Sequence, residues 1–181
     1  GRLYKLGGQY LGRGEDLIKA ENLLRKGRTF SAERVEYVNE LAEVLIAAGR
    51  FNEAEAIVLE HLRQVPPPLS SVIAGHLYFV GEKYNLAAEE YEKARKEGYE
   101  FWRKDGDYGR YLVANEELNN YDRILSMSLE FLEHRGPDSL AWFNVAVAYK
   151  NLDNEEKAAA AFREAVKLDS QYLEYEEFFR D

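Results

Sequence analysis

The feature that constrains this chain most is a self-similarity with a step of about thirty-four residues. In Ser139 to Tyr172 the order runs Trp142, Val145, Ala146, Tyr149, a break at Leu152-Asp153-Asn154, then Ala158, Phe162, Ala165 and Leu168. Trp142, Val145, Ala146 and Tyr149 follow i, i+3, i+4, i+7, and Ala158, Phe162 and Ala165 continue the rule, so the segment encodes two amphipathic helices facing each other across a tight turn. Weaker copies begin near Gly1, Val35, Pro68 and Asp105, which gives steps of 34, 33, 37 and 34. Within each copy, the first-helix anchor and the residue that opens the second helix are sixteen apart: Tyr4 and Ala20, Val38 and Ala54, Ser71 and Ala87, Tyr108 and Ile124, Trp142 and Ala158. A single hairpin of this size cannot hide its apolar side, so successive hairpins must stack.

Two further regularities fit such a stack. Gly49-Arg50-Phe51, Glu82-Lys83-Tyr84 and Asn119-Asn120-Tyr121 each place an aromatic ring just after a polar break, where it would staple neighbouring helices. Small residues recur where helices must come close, at Ala42, Gly75 and Ala146 on first helices and at Ala54, Ala87 and Ala158 on second ones.

The segment Ser139 to Tyr172 resembles a tetratricopeptide repeat, whose pattern runs Trp, Leu, Gly, Tyr on the first helix and Ala, Phe, Ala on the second. It departs in having Ala146 where the family often has Gly and Ser170 where it often has Pro. The resemblance implies an all-α fold, a right-handed α-solenoid of antiparallel helix hairpins. The expected organisation is a degenerate first repeat over 1–34, repeats over 35–67, 68–104, 105–138 and 139–172, and a capping helix over 173–181. Gly7, Gly8, Gly12 and Gly14 weaken the first copy, because an interior glycine costs a helix roughly 1 kcal/mol relative to alanine. The third copy carries about three extra residues, Gly98-Tyr99-Glu100-Phe101-Trp102-Arg103-Lys104-Asp105, read as an added lid or a shifted helix start.

By the same resemblance, first helices line a concave face that holds a peptide or partner protein. Carried over by position, the groove candidates are Asn39 from the second copy, Val72, Ile73, His76, Phe79 and Val80 from the third, Arg110 from the fourth, and Phe143, Asn144, Val147 and Lys150 from the fifth. Arg2, Lys5, Gln9 and Arg13 are the counterparts in the first copy, and Val113 another in the fourth. Val72, Ile73, Phe79 and Val80 read either as an apolar floor flanked by Arg110, Asn144 and Lys150, or as a helix simply buried in the stack. Lys5 and Asn39 sit near places used by a subfamily that clamps terminal carboxylates, but Val72 and Ile73 stand where that clamp needs a cation.

Composition narrows the alternatives. A formal net charge of −9 repels phosphate backbones, so nucleic acid is not an expected partner. No stretch of about 18 apolar residues predicts membrane insertion, which leaves a soluble chain with the cytoplasm favoured. There is no Cys, hence no disulfide or thiolate chemistry. His61, His76 and His134 fall on separate predicted helices without metal-binding spacing, and Asp105 to Glu116 imitates a calcium loop only faintly, lacking the central glycine at Arg110. No catalytic residue, metal or cofactor is predicted. A second reading is self-association through Tyr172, Tyr175, Phe178 and Phe179, and a third is an accessory domain of a larger enzyme.

Overall fold

The computed structural model describes residues 35–180 and, before them, Asn22 alone. The first copy, with Arg2, Lys5, Gln9 and Arg13, lies outside the described residues. Two compact units divide the chain after Tyr99.

In the first unit α1 (Val35–Ala47) pairs with α2 (Phe51–Leu62), and α3 (Leu69–Val80) pairs with α4 (Tyr84–Lys96); α3 also packs against both α1 and α2. The core joins Val38, Leu41, Ala42 and Leu45 of α1 to Ala54 and Val58 of α2 and to Ile73 and Leu77 of α3. In the second unit a single 3₁₀ turn (Phe101–Arg103) leads into α5 (Asp105–Glu116). There α5 pairs with α6 (Tyr121–Arg135), which packs on α7 (Ser139–Asn151), itself paired with α8 (Glu155–Leu168). A second 3₁₀ turn (Ser170–Tyr175) and one helical turn, α9 (Glu176–Phe179), close the described chain. Among the described residues there are nine α-helices and no strand, and none of the helices is long and apolar enough to cross a membrane.

One backbone device makes each of the four described hairpins. Gly49, Glu82, Asn119 and Asp153 take left-handed φ values of 74°, 57°, 55° and 55°. The next residue's N–H then reaches back to a carbonyl five residues earlier: Arg50 to Leu45, Lys83 to Tyr78, Asn120 to Asn115 and Asn154 to Tyr149, at 2.8–2.9 Å. These bonds satisfy carbonyls that a helix end leaves open, and they reverse the chain in three or four residues. Asn and Asp tolerate the left-handed region better than most side chains, which suits them to two of the four positions. The steps between these residues, 33, 37 and 34, repeat those of the sequence period.

The aromatic after each turn also has a defined place. Phe51 stacks on Tyr78 of the following hairpin at 6.5 Å, with the Lys83 ammonium 3.6 Å from its ring centre. Tyr84 instead meets Phe79 of its own hairpin edge-on at 5.7 Å. The six small residues at the helix crossings, Ala42, Gly75, Ala146, Ala54, Ala87 and Ala158, are all buried.

The extra segment before α5 includes the 3₁₀ turn Phe101–Arg103. Phe101 is buried against Tyr111 at 5.2 Å, and Trp102 stacks on His134 at 4.4 Å, with the Arg103 guanidinium 5.0 Å from the Trp102 ring centre. Arg135 donates to the Trp102 carbonyl at 3.2 Å and to the Asp105 carboxylate at 3.1 Å. The turn is thus bound down onto α5 and α6.

Glycines inside helices divide into two kinds. A methyl group at Gly75 would strike the Tyr91 ring, whereas at Gly109 it would meet no heavy atom within 4 Å. Gly109→Ala is therefore expected to raise stability by up to about 1 kcal/mol through helix propensity, measured as an upward shift of the urea midpoint at constant slope.

Candidate functional site

An accessible first-helix surface lies in the second unit. On α7, residues 143, 144, 147, 150 and 151 fall within one arc, opposite the buried Ala141, Val145 and Ala148. Asn144, Val147 and Lys150 are half-buried there, and Asn151 is exposed. On α5, Arg110 is half-buried and Val113 exposed, beside the open backbone at Gly109.

Local chemistry holds these side chains in place. Arg110 donates to Asp107 at 3.4 Å, and the Asp107 side chain is nearly buried. Lys150 reaches across its hairpin to Glu155 at 2.5 Å, and Asn151 donates to the Val147 carbonyl at 2.8 Å. Beneath them, the Tyr108 hydroxyl donates to Ser128 at 3.1 Å and also engages Asn144, while its ring stacks on Phe131 at 4.4 Å. Burial pushes the Tyr108 hydroxyl above its ordinary pKa, partly opposed by hydrogen bonds to Ser128 and Asn144. The Asn144 amide thus sits against the Tyr108 hydroxyl, its buried Nδ2 short of full hydrogen-bond geometry.

Phe143 has a different neighbourhood from its groove-mates. Tyr172 stacks on it at 4.6 Å, Tyr175 lies tilted at 5.0 Å and Phe179 meets it edge-on at 6.0 Å. The chain's own C-terminal turn therefore covers this end of the α7 face. That turn is a 3₁₀ segment followed by one helical turn, where the sequence pattern predicts one continuous helix from 173. Its rings fasten it in that form, since Phe179 also stacks on Phe162 at 4.4 Å.

The first unit places the remaining candidates. Asn39 lies in α1. Val72, Ile73 and Phe79 are 4%, 8% and 3% exposed, so these three do not form an open floor and belong to the buried alternative. The physical reason is that α3 packs on α1, α2 and α4 at once, and its apolar arc has no side left over. Val80 and His76 are half-buried, and His76 meets the Tyr91 ring edge-on at 5.8 Å. A Val72→Asp variant would consequently report on folding and not on binding.

Among the described residues, no group of three or more His, Asp or Glu side chains is gathered in a way that could hold a metal. The stretch that imitates a calcium loop is the helix α5.

With this geometry in view, comparison with known proteins gives a consistent picture. Residues 140–172 match the family model of the tetratricopeptide repeat. Among solved structures, MamA from strain AMB-1 is similar over 93% of this chain and 91% of its own, at 19% identity and a TM-score of 0.64. YrrB, described as a TPR protein with an unusual peptide-binding site, is similar over 90% and 84%, at 16% identity and a TM-score of 0.66. BtubC from P. vanneervenii is similar over 87% and 72%, at 20% identity and a TM-score of 0.60. No curated protein sequence matches the chain. Residues 140–172 match a tetratricopeptide repeat, and the described chain shares with these structures an all-α fold built of antiparallel helix hairpins.

Proposed function

We propose that this chain is a protein-interaction scaffold that holds a peptide or a segment of a partner protein against its first helices. The observation that carries the reading is the α5 and α7 surface of the second unit. It combines two cationic side chains, Arg110 and Lys150, with accessible apolar contacts at Val113 and Val147. Cations can fix a ligand's carboxylates, and the two valines can meet its apolar side chains. The described peptide-binding site of YrrB, on a similar fold, lends support. Holding, not turnover, is the activity that these groups suit, because a fold alone assigns no chemistry and the site residues are those of recognition.

The test is a peptide array screened with the intact chain, with hits measured by titration calorimetry. Captured peptides are expected to combine carboxylates with aliphatic side chains. A triple variant, Arg110→Gln, Val113→Asp and Lys150→Gln, is expected to weaken them about tenfold or more while leaving the circular dichroism spectrum unchanged. No capture at all, or equal affinity in the variant, would refute the reading.

A further inference from the structure

The far end of the second unit carries a site of another kind, independent of the first-helix surface. A cavity of about 410 Å³ opens between α8 and the C-terminal turn. Its floor is apolar, formed by Phe162, Val166, Leu173 and Phe179, and its rim bears Arg163, Lys167 and Arg180 against a single carboxylate, Glu176. Lys167 lies near Glu164 at 3.5 Å and Arg180 pairs with Glu176 at 2.8 Å, whereas Arg163 has no carboxylate partner among the described residues. In a chain of net charge −9, this rim is a local excess of positive charge over an oily floor. Its space is ample for one aromatic side chain, since a cavity of roughly 150 Å³ already accommodates a benzene ring.

The same end presents the matching surface. Glu174, Tyr175, Glu177 and Phe178 are exposed on the C-terminal turn, with Phe178 half in solvent at 50%. Tyr172 and Phe179 are not available for this, because they are committed to Phe143 and Phe162. An acidic turn carrying an exposed aromatic ring, Phe178, whose inner edge meets Phe179 at 4.9 Å, thus stands beside a basic-rimmed apolar cavity, with ring and cavity on different sides of the same short helix. In α9, Glu176 and Phe179 turn toward the cavity, joined there by Arg180 just after the helix, and Glu177 and Phe178 fall on other faces at 100° per residue.

We infer that copies of this chain associate head to tail, each placing Phe178 in the next one's cavity and setting Glu174 and Glu177 against its Arg163 and Lys167. Because ring and cavity lie on different sides of α9, each contact joins two unlike surfaces of neighbouring copies. The occupant is a second copy because the required ligand, an acidic segment with a projecting ring, is what the chain itself displays at that place.

Sedimentation equilibrium of the intact chain over a wide concentration range tests this. The wild type is expected to self-associate as concentration rises. Phe178→Ser, a change at an exposed side chain, is expected to raise the dissociation constant of that contact at least about tenfold. Arg163→Glu with Lys167→Glu is expected to do the same, and adding Glu174→Lys with Glu177→Lys to that variant is expected to restore association. A wild type that stays monomeric throughout, or an assembly indifferent to both Phe178→Ser and the charge reversals, would overturn the proposal. So would a monomer that binds an unrelated acidic aromatic peptide in this cavity, because the occupant would then be another protein.

Discussion

Gly75→Val is expected to destabilise the first unit by more than about 3 kcal/mol, seen as a lower urea midpoint and a lower melting temperature. Helix propensity alone points the other way, since valine is a better helix former than glycine by a few tenths of a kcal/mol. Packing decides the sign. Even a single added methyl would run into the Tyr91 ring, and Tyr91 is fully buried, so the ring has no solvent to retreat into. Relief would require α3 and α4 to separate, and that would open the contacts of Leu77 and Phe79 as well. Gly109→Ala, on a helix face where the added atom touches nothing, is the matched control; destabilisation of both variants to the same extent would show that propensity and not packing governs these positions.

Phe162→Ala is expected to cost the second unit about 3–5 kcal/mol, the range for removing a buried aromatic side chain. Phe162 is 6% exposed and holds together Val145 and Ala146 of α7, Ala158 and Ala161 of α8, and the ring of Phe179. Without it, Phe179 loses its stacking partner, and the C-terminal turn loses one of the two rings that fasten it. Chemical denaturation should show the loss of stability, and amide exchange should show 170–180 opening more readily than α7. An unchanged exchange rate in that turn would mean that Phe143 alone holds it in place.

Both variants lie on the line between what a linear pattern conveys and what it omits. The small residues at Ala42, Gly75, Ala146, Ala54, Ala87 and Ala158 are legible because close helix crossings recur with the repeat, and all six are buried. The hairpin turns are legible for the same reason, although the left-handed residue in each is identified by its backbone angle and not by its type: Gly49, Glu82, Asn119 and Asp153 share one conformation with four different side chains. Phe51 and Tyr84 could be recognised as staples, but not which helix each would hold. Both follow a turn, yet one crosses to the next hairpin and the other returns to its own.

The candidate site was legible only in outline. Arg110, Asn144, Val147 and Lys150 come from the register of the repeat, and the structure keeps them half-accessible. The apolar residues of α3 share that register and are buried instead. A helix reading Leu-Ser-Ser-Val-Ile-Ala-Gly-His-Leu-Tyr-Phe-Val has too narrow a polar arc to declare its exposed side. Which side is exposed depends on how many neighbours surround the helix. Phe143 shows the converse, a residue at a groove position whose cover is supplied by a turn some thirty residues later.

Sequence alone determined that this chain forms helix hairpins at a step near thirty-four residues, because apolar spacing and small crossing residues act locally and repeat. Only the tertiary structure decided which apolar side chains are spent on the core and that the second unit presents a basic-rimmed cavity beside an acidic aromatic turn. Burial is a property of the neighbours a helix acquires, and those neighbours are brought together by contacts distant in sequence.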